Sequence, residues 1–197
     1  MKCQVIIAGV GGQGVLFAAK ILTEMARRRG LPVFGSQTFG MAQRGGSVMS
    51  HVKIGEFDSP LVREGDADLL LGLDAMEAHR TLSYLHAAEH SKGAMCVVNA
   101  PDTNAFPDRR IAKLLSEMGV AIHSCNADAA ALGLGSPLVA NLVLLGFAAG
   151  QSDFPFSYEE MHDATAALSG SSHHKANLAA LACGRARCSS LPEPVPA

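Results

Sequence analysis

Val5-Ile6-Ile7-Ala8-Gly9-Val10-Gly11-Gly12-Gln13-Gly14 joins an unbroken apolar run to a glycine-rich turn near the start of the chain. Its apolar residues do not alternate with polar ones, which predicts a buried parallel strand over Val5–Ala8. Gly9, Gly11 and Gly14 then follow in G-x-G-x-x-G spacing, and a helical pattern runs from Val15 to Arg29. Glycines in that order permit a tight turn, a close backbone approach to an anion, and close packing of helix on strand. The helix N-terminus would aim unpaired N–H groups at whatever lies above it. Arg27-Arg28-Arg29-Gly30 stops the helix, with cations at the negative end of its dipole.

Working outward, Leu31–Phe34 is expected to be a second strand. Residues 35–47, Gly-Ser-Gln-Thr-Phe-Gly-Met-Ala-Gln-Arg-Gly-Gly-Ser, are too polar and too punctuated for a core element. Val48–Ile54 alternates and predicts a half-exposed strand. Buried strands are expected at Leu69–Leu73, Ala94–Asn99 and Val120–Ser124. Helices are expected at Ala75–Glu89, Arg110–Met118, Val139–Ala149 and His174–Cys183. Ser157 with Glu160 forms a capping-box signal for one more. Strands alternating with helices predict an α/β fold with a mostly parallel sheet.

Composition narrows the function. The chain has 197 residues, 48% hydrophobic and 17% charged, which suits one folded domain. A net charge of -2 leaves no basic footprint, so nucleic acid is not an expected partner. The five cysteines are scattered and lack a Cys-x-x-Cys pair, so reduced thiols are expected rather than a disulfide framework or a self-held iron–sulfur cluster. The first residues hold a single lysine and a short apolar run, unlike a signal peptide. Leu138–Ala149 is too short to span a bilayer. No membrane partner and a cytoplasmic location are the expectations.

A dinucleotide site needs an acidic residue at the end of the second strand, and Val33-Phe34-Gly35-Ser36 offers none. A stand-alone nucleotide-binding oxidoreductase therefore stands as the alternative reading, beside a strand–helix turn with no ligand. The second glycine stretch changes the balance. If it lies on the same sheet edge, Thr38, Gln43, Arg44, Gly45 and Gly46 would face the Gly11-Gly12-Gln13-Gly14 loop. Arg44 could then clamp a carboxylate or phosphate, or pair with a partner subunit. His79, His86 and His90 are at helical spacing but lack a carboxylate or cysteine cluster, so surface histidines are favoured over a metal site. His173-His174 reads as a helix start. Gly65-Asp66 with Asn99 falls short of a thiamine-binding signature, because Ala67 and Ala100 stand where a glycine and an asparagine are required. Cys183 and Cys188, near Arg185 and Arg187, read as inert thiols. No catalytic constellation is complete, and no catalytic or metal-binding residue is assigned.

Gly9-Val10-Gly11-Gly12-Gln13-Gly14-Val15 followed by Thr38-Phe39-Gly40-Met41-Ala42-Gln43-Arg44-Gly45-Gly46-Ser47-Val48 resembles the gamma subunit of 2-oxoacid:ferredoxin oxidoreductases. The Met-Ala-Gln-Arg-Gly-Gly form is most similar to the small (beta) subunit of the indolepyruvate branch. The likeness continues through Ser50–Gly55, Ser59–Leu61, Ala67–Leu71 and Asn141–Gly146. It implies a Rossmann-like, three-layer domain, assigned to residues 1–187; residues 188–197 lie outside the likeness and read from their composition as a flexible, proline-rich tail. It also implies that thiamine diphosphate and iron–sulfur clusters sit on a large partner subunit, through which ferredoxin is reached. The chain alone would bind no cofactor and be inactive, while its glycine loops would contact coenzyme A or the partner. The implied reaction is oxidative decarboxylation of an aryl 2-oxoacid to an acyl-CoA.

Overall fold

The structure, a computed structural model, describes residues 1–40, 45–88, 93–101, 105–106 and 108–188. Six strands form one sheet: β1 (Cys3–Val10), β2 (Val33–Phe39), β3 (Ser47–Ile54), β4 (Leu69–Gly72), β5 (Met95–Asn99) and β6 (Ala121–Cys125), in the order β2-β3-β1-β4-β5-β6. β1, β4, β5 and β6 are parallel neighbours, while the β2–β3 hairpin runs antiparallel beside β1. The helices are α1 (Val15–Arg28), α2 (Ala75–Arg80), α3 (Arg109–Glu117), α4 (Ala127–Gly133), α5 (Ala140–Ala149), α6 (Tyr158–Leu168) and α7 (His174–Cys188).

The unbroken apolar run of β1 is explained by burial on both faces. Val5 and Ile7 pack into a core with α1, α5, α6 and α7, whereas Ile6 and Ala8 pack into a second core with α2 and α3. The expected three layers follow. α5 is buried nearly all round because α7 crosses it backbone to backbone. A Cβ on Gly146 would lie 2.0 Å from Leu181 O, and one on Gly184 would lie 1.9 Å from Val143 O. The Ser157–Glu160 capping box opens α6. Arg29 forks onto the same Glu160 carboxylate, tying the end of α1 to the start of α6.

Several boundaries differ from the sequence pattern. Residues 35–39 belong to β2 rather than to a loop. Ladder bonds to β3, not burial, order them, and an edge strand shows no apolar signature. β3 is buried from Ser50 to Ile54, beyond the half-exposed expectation. α2 stops at Arg80, far short of Glu89. The Thr81 hydroxyl donates to Glu77 O and Ala78 O, a 3-10 turn follows over Leu82–Tyr84, and the chain then runs beside Ala67, which bonds Tyr84 and His86. His79 and His86 therefore share no helix face: His79 packs on Phe106 and His86 pairs with Asp68. His90 lies outside the described residues, as do 189–197 of the tail. α4, opened by the Asn126 cap, is too short and alanine-rich to stand out in the sequence. α7 continues through Arg185 and Arg187, five residues past the expected end at Cys183. Among the described residues no helix is long and apolar enough to cross a membrane.

Candidate functional site

The site lies at the carboxyl edge of the parallel strands, where β1 gives way to α1. Glycine at position 9 is a packing requirement, since a Cβ there would meet Gln13, Val15 and Leu73 at about 3 Å. Gln13 turns back on the loop: its Oε1 accepts from Val10 N–H at 2.7 Å, and its own N–H donates to Val10 O at 3.0 Å. Gly12 and Gly14 take left-handed backbone, with φ of 100° and 81°. Behind Gly14 stands the buried Asn141 of α5, whose Nδ2 is within 3.4 Å of Gly14 O. Its Oδ1 accepts from Leu142 N–H.

The β2–β3 hairpin delivers the second glycine stretch to the same edge. Because β3 is antiparallel to β1, Ser47 pairs with Val10, and Gly46 before it meets Gly11 just past the end of β1. Gly11 N–H donates to Gly46 O at 2.9 Å, so the two glycine segments touch through their backbones. Gly40 N–H to Ser47 O, at 2.8 Å, closes the hairpin. Ser47 also donates its hydroxyl to the buried Glu77 carboxylate at 2.6 Å, and Arg80 pairs with the other oxygen. Glu77 thus fastens α2 to the base of the hairpin.

Together these segments border an open cleft of about 530 Å³. Gly11, Gly12, Gly14, Gly45 and Gly46 line it; Gln13 and Thr38 do not. Gln43 and Arg44 lie outside the described residues. The Gly11 N–H is engaged with Gly46. The N–H groups of Gly12, Gly14, Val15 and Leu16 meet no acceptor among the described residues, and they open the 14-residue helix α1. Such a helix start favours an anion. Lys20, on the same helix, adds a cation to the lining, and Leu16 and Phe39 supply an apolar wall. The arrangement can hold a phosphate or carboxylate beside an apolar group. Among the described lining residues the single hydroxyl is that of Ser47, and it is committed to Glu77.

Four contributors were not read from the sequence: Lys20, Phe39, Glu77 and Asn141. Lys20 sits at helical spacing after the glycine loop, which could have marked it. Glu77 and Asn141 act through long-range contacts that no local pattern reveals. Elsewhere, burial pushes the thiols of Cys3, Cys96 and Cys125 up to about 12, the behaviour of packed rather than reactive cysteines. His51 is buried, accepts from Val62 N–H at its Nδ1, and is held below the ordinary histidine range by desolvation and then by Lys53.

The sequence matches the pyruvate ferredoxin/flavodoxin oxidoreductase family over residues 4–187. It is 34% identical over 194 residues to "Indolepyruvate oxidoreductase subunit IorB" of Archaeoglobus fulgidus, covering 93% of this chain and 94% of that protein. The fold is similar to that of the keto/oxoacid ferredoxin oxidoreductase gamma subunit of Geobacter sulfurreducens. That similarity has a TM-score of 0.69 at 22% identity, and covers 96% of this chain and 99% of that one. It is also similar to 2-oxoglutarate:ferredoxin oxidoreductase of Magnetococcus marinus, a structure with 2-oxoglutarate, coenzyme A and succinyl-CoA bound. There the TM-score is 0.70 at 20% identity, with 99% of this chain and 32% of that one covered.

Proposed function

The chain belongs to the pyruvate ferredoxin/flavodoxin oxidoreductase family, and on that premise we propose that it is the small, gamma-type subunit of a 2-oxoacid:ferredoxin oxidoreductase acting on indolepyruvate or a related aryl 2-oxoacid. The name of the Archaeoglobus relative supports that substrate class. In the complete enzyme the oxoacid loses CO2, its acyl group passes to the thiol of coenzyme A, and the electron pair leaves for ferredoxin.

Thiamine diphosphate, which supplies the electron sink for decarboxylation, is assigned to a large partner subunit, as are the iron–sulfur clusters. The described residues do not fit a cluster. Cys3, Cys96 and Cys125 are buried apart, and among the described residues no three His, Cys, Asp or Glu side chains gather as metal ligands. The share of this chain is to bind and orient. Gly12, Gly14 and the start of α1, with Lys20, receive a phosphate of the acyl acceptor, while Gly11, Gly45 and Gly46 set the shape of the cleft. Gln13 holds the turn. Thr38, and Gln43 and Arg44 that follow it in the sequence, are assigned to the acceptor or to the large subunit. The chain is inactive alone and works in the cytoplasm.

The observation that carries this reading is the Gly11 N–H···O=C Gly46 bond, which joins both glycine segments in one cleft. Copurification with the tagged chain tests it. The expected result is a large partner carrying thiamine diphosphate and iron. Recovery of the chain alone, with calorimetric binding of NAD by the isolated protein, would favour the stand-alone nucleotide enzyme instead.

A further inference from the structure

We propose that β2 is a self-association edge, and that two copies of the chain join there antiparallel, about a two-fold axis at Ser36, to make one continuous sheet. The strand Val33-Phe34-Gly35-Ser36-Gln37-Thr38-Phe39 is the end of the sheet and, among the described residues, pairs only with β3. Its ladder with β3 is unbroken from Val33–Ile54 to Phe39–Val48, so no bulge twists the edge away. It carries no charge and no proline. Exposed edges in natural sheets are ordinarily protected by charge, proline or a bulge, and an uncharged flat edge invites another strand. Phe39 is 61% exposed and Phe34 40%, which leaves aromatic surface at both ends of the strand.

The hydrogen-bond phase of the hairpin says which groups are available. Gly40 N–H bonds Ser47 O and Gly55 N–H bonds Pro32 O, so the even-numbered residues face β3. The N–H and C=O groups of Val33, Gly35, Gln37 and Phe39 therefore point outward. Antiparallel pairing about Ser36 sets Val33 opposite Phe39 of the second copy and Gly35 opposite its Gln37. All of these outward groups are then satisfied. Val33 and Phe39 lie on one face of the sheet and make an apolar cross-strand pair, while Phe34 meets Thr38 on the other. Ser36 stands opposite its own counterpart in the closely spaced, non-hydrogen-bonded position. No like charges face each other anywhere in the ladder. A segment that is its own complement in register, polarity and charge selects a second copy as occupant, in an isologous interface.

The test uses the isolated 197-residue chain, so its outcome is independent of the large subunit. Sedimentation equilibrium should give a dimer. Gln37→Pro deletes one outward N–H and leaves every bond to β3 intact, and should yield a folded monomer at the concentration where the parent chain is dimeric. Ser36→Lys and Ser36→Asp should each be monomeric, because they set like charges face to face on the axis. Mixing the two should restore a dimer, which decides the matter even if Gln37→Pro fails to fold. A parent chain that stays monomeric, including one whose edge is protected from amide exchange only in complex with the large subunit, overturns the proposal. So does a dimer that persists in all three variants.

Discussion

The carboxamide of Asn141 stands where a side chain on Gly14 would have to go. A Cβ at Gly14 would lie 2.2 Å from Asn141 Nδ2, on a residue whose φ of 81° already disfavours any side chain. Gly14→Ala should therefore cost about 2–4 kcal/mol, combining backbone strain with overpacking. Urea denaturation measures it. Adding Asn141→Ala should recover part of the loss, because the two positions share one space, so the pair will be less than additive.

Ser47 and Glu77 make the second control point of the cleft. Ser47→Ala leaves the buried Glu77 carboxylate with Arg80 alone and should cost about 1–3 kcal/mol. In the assembled enzyme the same variant should raise the KM for coenzyme A more than it lowers kcat, since it loosens the hairpin rather than the chemistry. Equal KM values for variant and parent would remove the hairpin from acceptor binding.

Acid should loosen the α1–α6 junction. The Arg29 guanidinium, and then the capping bonds at Ser157, hold the Glu160 carboxyl at about 2, well below its ordinary 4.5. A carboxylate depressed on folding contributes stability that is fully present above its unfolded pKa and is lost as pH falls toward the folded value. Urea midpoints should therefore fall between about pH 4.5 and pH 2, and Glu160→Gln should flatten that part of the profile. Glu24, held low by Arg27 and Arg28, acts in the same direction from the surface.

The cysteines should divide by burial. Cys3, Cys96 and Cys125 are buried thiols raised to about 12 and should resist alkylation in the folded chain near neutral pH. Among the four cysteines whose burial the structure describes, Cys183, only half-buried, should label first. Peptide mapping after a timed iodoacetamide pulse reads the order directly.

Much of this was legible in the chain. The run into Gly9–Gly14 announced strand, turn and helix because burial on both faces and φ above zero each leave a local mark. The meeting of the two glycine segments followed from placing the second stretch on the same edge, which the Gly11–Gly46 bond bears out. What escaped notice lacks a local signature. Gly35–Phe39 is ordered by hydrogen bonds to β3, and hydrogen bonds do not show in residue type. Glu77 and Asn141 reach the site from α2 and α5, 30 residues beyond Ser47 and 127 beyond Gly14, distances no periodic pattern spans. α2 looked more than twice its length because apolar spacing continued through residues that form a 3-10 turn and bond Ala67 instead.

If this chain completes a thiamine-dependent oxoacid oxidoreductase and contributes its anion-binding cleft, ferredoxin reduction must depend on its presence. The most direct measurement is indolepyruvate- and coenzyme A-dependent reduction of ferredoxin by the large subunit, with and without this chain, and with Lys20→Ala. Activity is expected only when both subunits are present, with a raised KM for coenzyme A in the Lys20 variant and kcat largely kept. Full activity of the large subunit alone would contradict it.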